Sequence, residues 1–285
     1  MMYKFAHIIN PVVVGPVSDL FKAQPITFET MKVAREFAER QNVSVQLYTA
    51  QYSEDKVIIP DYFTLTPDLA SSVLDYGSFI VKRKLPLIKD ILDRLYIASE
   101  GADYLIYTNV DIALVPNFYI TVNQLIKQGY DSFTVNRRTI PNNYKLVEDI
   151  PLMIAEIGKS HPGTDCFVIK KSYYEHYYLD KTCIGTLHIA KSLMINMIST
   201  ANNFKVFDKL HLTFHIGDDR AWGSTNLSDY VKHNEDCIHG ILKHLRNDEE
   251  LMSNSKIDKY SKQFDFVFWS QNQSVFIVVF EKMKK

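Results

Sequence analysis

What most constrains this chain is a regular exchange of short apolar strands and amphipathic helices. Residues 3–9 read as a strand that stops at Asn10-Pro11. Met31, Ala34, Phe37 and Ala38 then share one helix face, and residues 43–48 form the next strand. Pro86 suits the first turn of a helix whose stripe is Ile88, Ile91, Leu92, Leu95 and Ala98. Glu100-Gly101 ends that helix, and residues 104–107 are a short buried strand. Asn117 is placed to cap a helix carrying Phe118, Val122, Leu125 and Ile126, which Gly129 closes before a strand at 132–135. Further on, residues 166–169, 204–207 and 212–214 read as strands. Leu187, Ala190, Met194 and Met197 mark one helix, and Leu227, Val231, Ile238, Ile241 and Leu245 mark another. Parallel strands need crossover connections, and helices supply them. The pattern therefore predicts an α/β single domain with a mostly parallel central sheet flanked by helices.

Composition narrows the function. Lys and Arg number 32 against 33 Asp and Glu, a net charge of −1 at pH 7. Nothing in that balance provides the basic face of a nucleic-acid binder, so none is expected as a partner. Any phosphate-handling site must be local. Cys166, Cys183 and Cys237 are odd in number, far apart and outside any C-x-x-C pair. They read as buried free thiols in a reducing cytosol, so the expected location is cytoplasmic. No apolar run approaches the length of a membrane-spanning helix. The apolar stretch at 274–280 is able to touch a membrane surface but reads as a terminal packed strand.

Several familiar motifs are missing. There is no G-x-G-x-x-G, G-x-S-x-G or H-E-x-x-H. Gly158-Lys159-Ser160 ends like a phosphate-binding loop, but Met153 stands where that loop needs its first glycine, and the preceding residues look helical. In open α/β sheets the ligand crevice lies beyond the carboxyl ends of the strands. Here that rule selects Asn10, residues 108–111, residues 136–138 and the segment after Phe214. In the first of the chemically promising stretches, a buried strand runs into Asn109-Val110-Asp111. In extended backbone, residues two apart point the same way, so both side chains can offer oxygen to one hard cation. In the second, His215-Ile216-Gly217-Asp218-Asp219-Arg220-Ala221-Trp222, His215 is a candidate third metal ligand. Arg220 is a bidentate phosphate contact and Trp222 a pocket wall. The third, His161-Pro162-Gly163-Thr164-Asp165, places Asp165 where a loop enters a strand, fit for a substrate hydroxyl or general-base work. Each stretch alone is also what a polar turn requires.

Together these segments resemble glycosyltransferases of the GT-A fold. Asn109-Val110-Asp111 is similar to their D-x-D motif, with an amide in the first position. The stretch from His215 to Trp222 resembles the H-x-x-G-x-x-K-P-W motif of retaining, glycogenin-like enzymes, one residue shorter and with Arg-Ala for Lys-Pro. The resemblance implies a nucleotide-diphosphate sugar as donor, a glycan or other hydroxyl as acceptor, and Mn²⁺ or Mg²⁺ as cofactor. Asp111, Asn109 and His215 would hold the metal and Arg220 the diphosphate. Asn10, Arg83, Lys84 and Trp222 would join the donor site. Asp165, Arg137 and Arg138 would face sugar or acceptor. Asp165, Asp218 and Asp219 are candidate bases if the reaction inverts, whereas the His215 motif points to retention. The catalytic layout is expected over residues 1–225, with 226–285 as a helical and strand-like extension packed on it. Two other readings share the layout: a sugar nucleotidyltransferase, and a GT-A-like binding or scaffold protein without efficient catalysis.

Overall fold

Residues 4–9 (Lys4–Ile9) form β1, the strand around which the rest is arranged in the computed structural model, which describes residues 2–217 and 227–247. Chain order continues with α1 (Leu20–Glu39), β2 (Ser44–Thr49), β3 (Thr64–Leu65), α2 (Ile88–Ala98), β4 (Tyr104–Thr108), β5 (Ala113–Leu114) and α3 (Phe118–Lys127). It then runs through β6 (Ser132–Ile140), α4 (Ile150–Ala155), β7 (Lys159–Lys170), α5 (Ile189–Thr200), β8 (Phe204–Phe207), β9 (Thr213–Ile216) and α6 (Ser228–Arg246). One sheet takes the order β3-β2-β1-β4-β7-β6-β9-β5, and β8 also pairs with β6. It is mostly parallel, as expected. The antiparallel pairings are those of β7 with β4 and β6 and of β5 with β9.

Strand alternation sorts side chains onto two faces. From β4, Tyr104 and Ile106 join Phe5, Met31, Ala34, Phe118 and Val122 on the face covered by α1 and α3. Leu105 and Tyr107 join Ile8, Ile91, Leu92, Phe167, Leu193 and Met197 on the face covered by α2 and α5. A buried strand flanked by helices on both sides has no polar face, and β4 is buried at every residue. Helix α6 packs on α5 through Ile238, Ile241, Leu242 and Leu245 around Ile195. The three cysteines are free and buried. No described helix is long and apolar enough to cross a membrane. The 274–280 stretch lies outside the described residues.

Several local expectations need correction. Helix α1 begins at Leu20 and runs through Pro25, well before its apolar stripe becomes visible. Pro86 does not lie in the first turn of α2. Leu87 is the N-cap, because its backbone bridges to Cys183 and the next amide, of Ile88, donates to the Thr182 carbonyl at 3.0 Å. Ala98 ends the helix exposed. β7 extends seven residues earlier than its apolar run. Gly158, just before it, has φ +63°, and a Cβ there would lie 2.7 Å from the Thr139 carbonyl oxygen. The glycine of the apparent phosphate loop therefore serves the entry to β7 beside β6.

His7 on β1 is fully buried between the Tyr119 hydroxyl at Nδ1 (2.8 Å) and the Thr108 hydroxyl at Nε2 (3.0 Å). Burial lowers its pKa to about 3. The unfolded chain, with an ordinary imidazole, takes up a proton below pH 6.5 that the folded chain refuses. Stability is therefore fully present above pH 6.5 and is lost as pH falls toward 3, by about 1.4 kcal/mol per pH unit. Urea titrations at pH 7 and pH 5 should register a loss of about 2 kcal/mol from this residue. The loss should be absent in His7→Gln, whose amide can keep both hydroxyl partners. Equal pH slopes in the two proteins would refute the assignment.

Candidate functional site

The carboxyl edge of the sheet gathers residues far apart in sequence. β4 ends at Thr108, and the chain turns at once, with the Ile112 amide donating to the Asn109 carbonyl at 3.2 Å. Because residues 109–112 turn, the alternation of an extended strand does not apply, and Asn109 and Asp111 engage different partners. Asp111 Oδ2 lies 3.2 Å from His215 Nε2, brought across by β9, where His215 pairs with Thr139 of β6. Asn109 Nδ2 donates to Asp165 Oδ1 at 3.1 Å, and Asn109 Oδ1 accepts from the Tyr107 hydroxyl at 3.0 Å.

Asp165 owes its place to a bulge. Val135 pairs with Cys166 but Asn136 pairs with Thr164, so Asp165 is the extra residue on β7. A second irregularity around His161-Pro162-Gly163 follows before Arg138 meets Ser160. Bulges re-aim side chains, and here the result is that Arg137 Nη1 donates to Asp165 Oδ2 at 2.7 Å, with side chains only 9% and 14% exposed. Asp165 is thus part of the strand itself rather than of a loop entering it. Arg138 points elsewhere, donating to the Ile154 carbonyl at 2.9 Å with its guanidinium over the Phe214 ring.

Electrostatics knits the two pairs into one site. Burial pushes the Asp111 carboxyl up, but His215 and Arg137 outweigh it and hold its pKa below the ordinary value. Burial likewise opposes the charged form of His215, and the contact with Asp111 prevails, leaving its pKa raised. For Asp165 burial wins: its pKa is raised, with Arg137 opposing and Asp111 reinforcing the shift.

The Asp111–His215 pair fits a divalent cation. His215 Nδ1 is 2.8 Å from the Gly217 carbonyl oxygen, which can only accept, so Nδ1 carries a proton and Nε2 is the nitrogen available to a metal. Gly217 has φ +77°, a conformation that favours glycine. Asp111 Oδ1 is buried and has no hydrogen-bond partner among the described residues. Carboxylate oxygen and imidazole suit Mn²⁺, and Mg²⁺ and similar ions commonly take one or two carboxylates and complete their shell with phosphate and water. Among the described residues no group of three His, Cys, Asp or Glu converges.

The other residues singled out from sequence are placed as follows. Asn10 braces the ends of β1 and β2, its Nδ2 donating to the Ala50 carbonyl at 2.6 Å. Lys84 pairs with Glu54 at 2.6 Å and lies over the Tyr52 ring. The Arg83 amide donates to the Tyr230 hydroxyl at 2.7 Å. Asp218, Asp219, Arg220 and Trp222 lie outside the described residues. Tyr107 was not singled out from the sequence, although its position two residues before Asn109 was a usable signal.

No protein-family model and no curated protein sequence matches the chain. Solved structures do. S. aureus TarS 1–349 in complex with UDP-GlcNAc is 10% identical, with 86% of this chain and 67% of that chain covered and a TM-score of 0.54. The same fragment in complex with UDP is 10% identical, covering 90% and 70%, with a TM-score of 0.50. A further TarS crystal structure is 9% identical over 95% of this chain, which spans only 44% of it, at a TM-score of 0.50. At such identities the likeness is one of fold. The chain is an α/β domain whose architecture matches that of GT-A-type glycosyltransferases.

Proposed function

We propose that the protein transfers a sugar from a nucleotide-diphosphate sugar to an acceptor hydroxyl on a glycan or similar molecule, assisted by Mn²⁺ or Mg²⁺. The observation that carries this reading is the Asp111–His215 pair, with an Asp111 Oδ1 that has no hydrogen-bond partner among the described residues, at the carboxyl edge of a GT-A-like sheet. A cation held there supplies Lewis-acid neutralisation of the departing diphosphate. Asp111 and His215 would hold it, and the Gly217 carbonyl keeps the imidazole turned so that Nε2 faces the carboxylate. The sequence motif assigns Arg220 to the diphosphate and Trp222 to the pocket wall. Arg137 fixes one oxygen of Asp165 and thereby sets where this carboxylate meets an acceptor hydroxyl. Its raised pKa suits proton acceptance in an inverting reaction. In a retaining one, which the His215 motif favours, the departing phosphate takes the proton.

Incubation with a panel of UDP-, GDP- and CMP-sugars and Mn²⁺ tests the proposal. Slow nucleotide release from one donor, accelerated by an acceptor, is the expected result. Binding without turnover across the panel, acceptors included, would replace the enzyme with a binding or scaffold protein.

A further inference from the structure

We propose that Asn109 is a positioning residue rather than a metal ligand: its amide bridges the Tyr107 hydroxyl to Asp165, and that place requires an amide, not a carboxylate. The inference rests on reading the site as one of metal-assisted sugar transfer. Tyr107 is 1% exposed, packed against Phe167 on the α2–α5 face of the sheet, and its hydroxyl reaches Asn109 Oδ1. The opposite end of the same amide meets Asp165 Oδ1. A hydroxyl can donate or accept, so Tyr107 alone does not orient the amide. An ionised carboxylate only accepts, so the nitrogen must face Asp165 and the oxygen Tyr107. The backbone holds the same register, with the Asn109 amide 3.4 Å from the Asp165 carbonyl oxygen.

The two oxygens of Asp165 are thus divided, one to Asn109 and one to Arg137, and the carboxylate plane is set from both sides. Because Asp165 is the extra residue of a bulge, its orientation is not enforced by regular strand pairing on the β6 side. The side-chain bridge supplies that constraint. An aspartate at 109 would put two carboxylates at this 3.1 Å contact, where like charges repel. The amide therefore matches the residue it faces across the β4–β7 pairing, and the cation is left to Asp111 and His215.

An exchange of the two side chains tests this without any substrate. In Asn109→Asp/Asp165→Asn, the new amide can donate to residue 109 and accept from Arg137, and residue 109 still accepts from Tyr107. Thermal unfolding without metal should place Asn109→Asp roughly 5 °C below the wild type, and the double variant, whose amide at 165 gives Arg137 only a neutral oxygen, should lose less than Asn109→Asp and Asp165→Asn lose together. An Asn109→Asp protein as stable as the wild type, or a double variant that loses the full sum of the two single losses, would overturn the proposal. Calorimetry with Mn²⁺ and UDP reads what a structural role alone would not move. Asn109→Ala should lose far less metal affinity than the at least about 100-fold that removal of a true ligand costs. Such a loss, or tenfold tighter binding in Asn109→Asp, would equally overturn it. If the wild type takes up no Mn²⁺ with any nucleoside diphosphate, the sugar-transfer reading fails, and the thermal comparison alone decides the bridge.

Discussion

Asp111→Ala is expected to abolish Mn²⁺-dependent binding of a nucleoside diphosphate, a loss of at least about 100-fold, since removing a metal's own ligand exceeds the 10–100-fold typical of its outer partners. The reasoning is local. Asp111 offers Oδ1, which has no other described partner, and Oδ2, which already faces His215. Alanine removes both oxygens and leaves His215 as a single neutral donor. Calorimetric titration of UDP and GDP, with Mn²⁺ and with chelator, measures the effect. Binding that stays metal-dependent and unchanged in the variant would remove Asp111 from the metal site. The fold should survive, because Asp111 lies in a turn, outside the apolar clusters on either face.

Arg137→Ala should cost about 3 kcal/mol of stability, because it removes one partner of a pair that is mostly buried. Its side chain and that of Asp165 are 9% and 14% exposed, and the ion pair is 2.7 Å long. Without the guanidinium, Asp165 keeps a single amide donor while remaining out of water. Burial already raises the Asp165 pKa, and the Arg137 charge is the strongest influence opposing it. Its loss moves the pKa further up. A carboxyl whose folded pKa is raised destabilises the fold when ionised, so the deficit should be largest near pH 7. It should shrink as pH falls from the variant's further-raised pKa toward that of the wild type, both above the ordinary carboxylate value. Urea unfolding at pH 7 and pH 4 checks both statements, and Asp165→Asn in the Arg137→Ala background should restore part of the loss at pH 7. A deficit below about 1 kcal/mol would mean that the pair behaves like a surface ion pair.

Much of the architecture was legible in the sequence, and it was the local part. Strand β4 was visible because a run buried on both faces has no polar alternation to hide it, and α3 because its apolar residues recur at helical spacing between Asn117 and Gly129. The rule that ligands bind beyond strand carboxyl ends picked out Asn109, Asp111 and His215. The GT-A resemblance then supplied the expected fold, which is the fold observed. α1 was underestimated because its first turns, around Pro25, carry no clear apolar stripe, and β7 because His161-Pro162-Gly163 reads as a loop although it is an irregularity within a paired strand.

The sequence by itself determined which chemical groups stand at the ends of strands, since that follows from periodicity and breakers within a few residues. Only the tertiary structure decided who faces whom. Asp111 meets His215 across 104 positions, and Arg137 meets Asp165 across 28, because strand order and register bring them to one edge. The turn at 109–112 then sends two residues of one short motif to different partners. The bulge at Asp165 finishes the site: a single unpaired residue, set by the β6–β7 register, turns a carboxylate toward the arginine and amide that hold it.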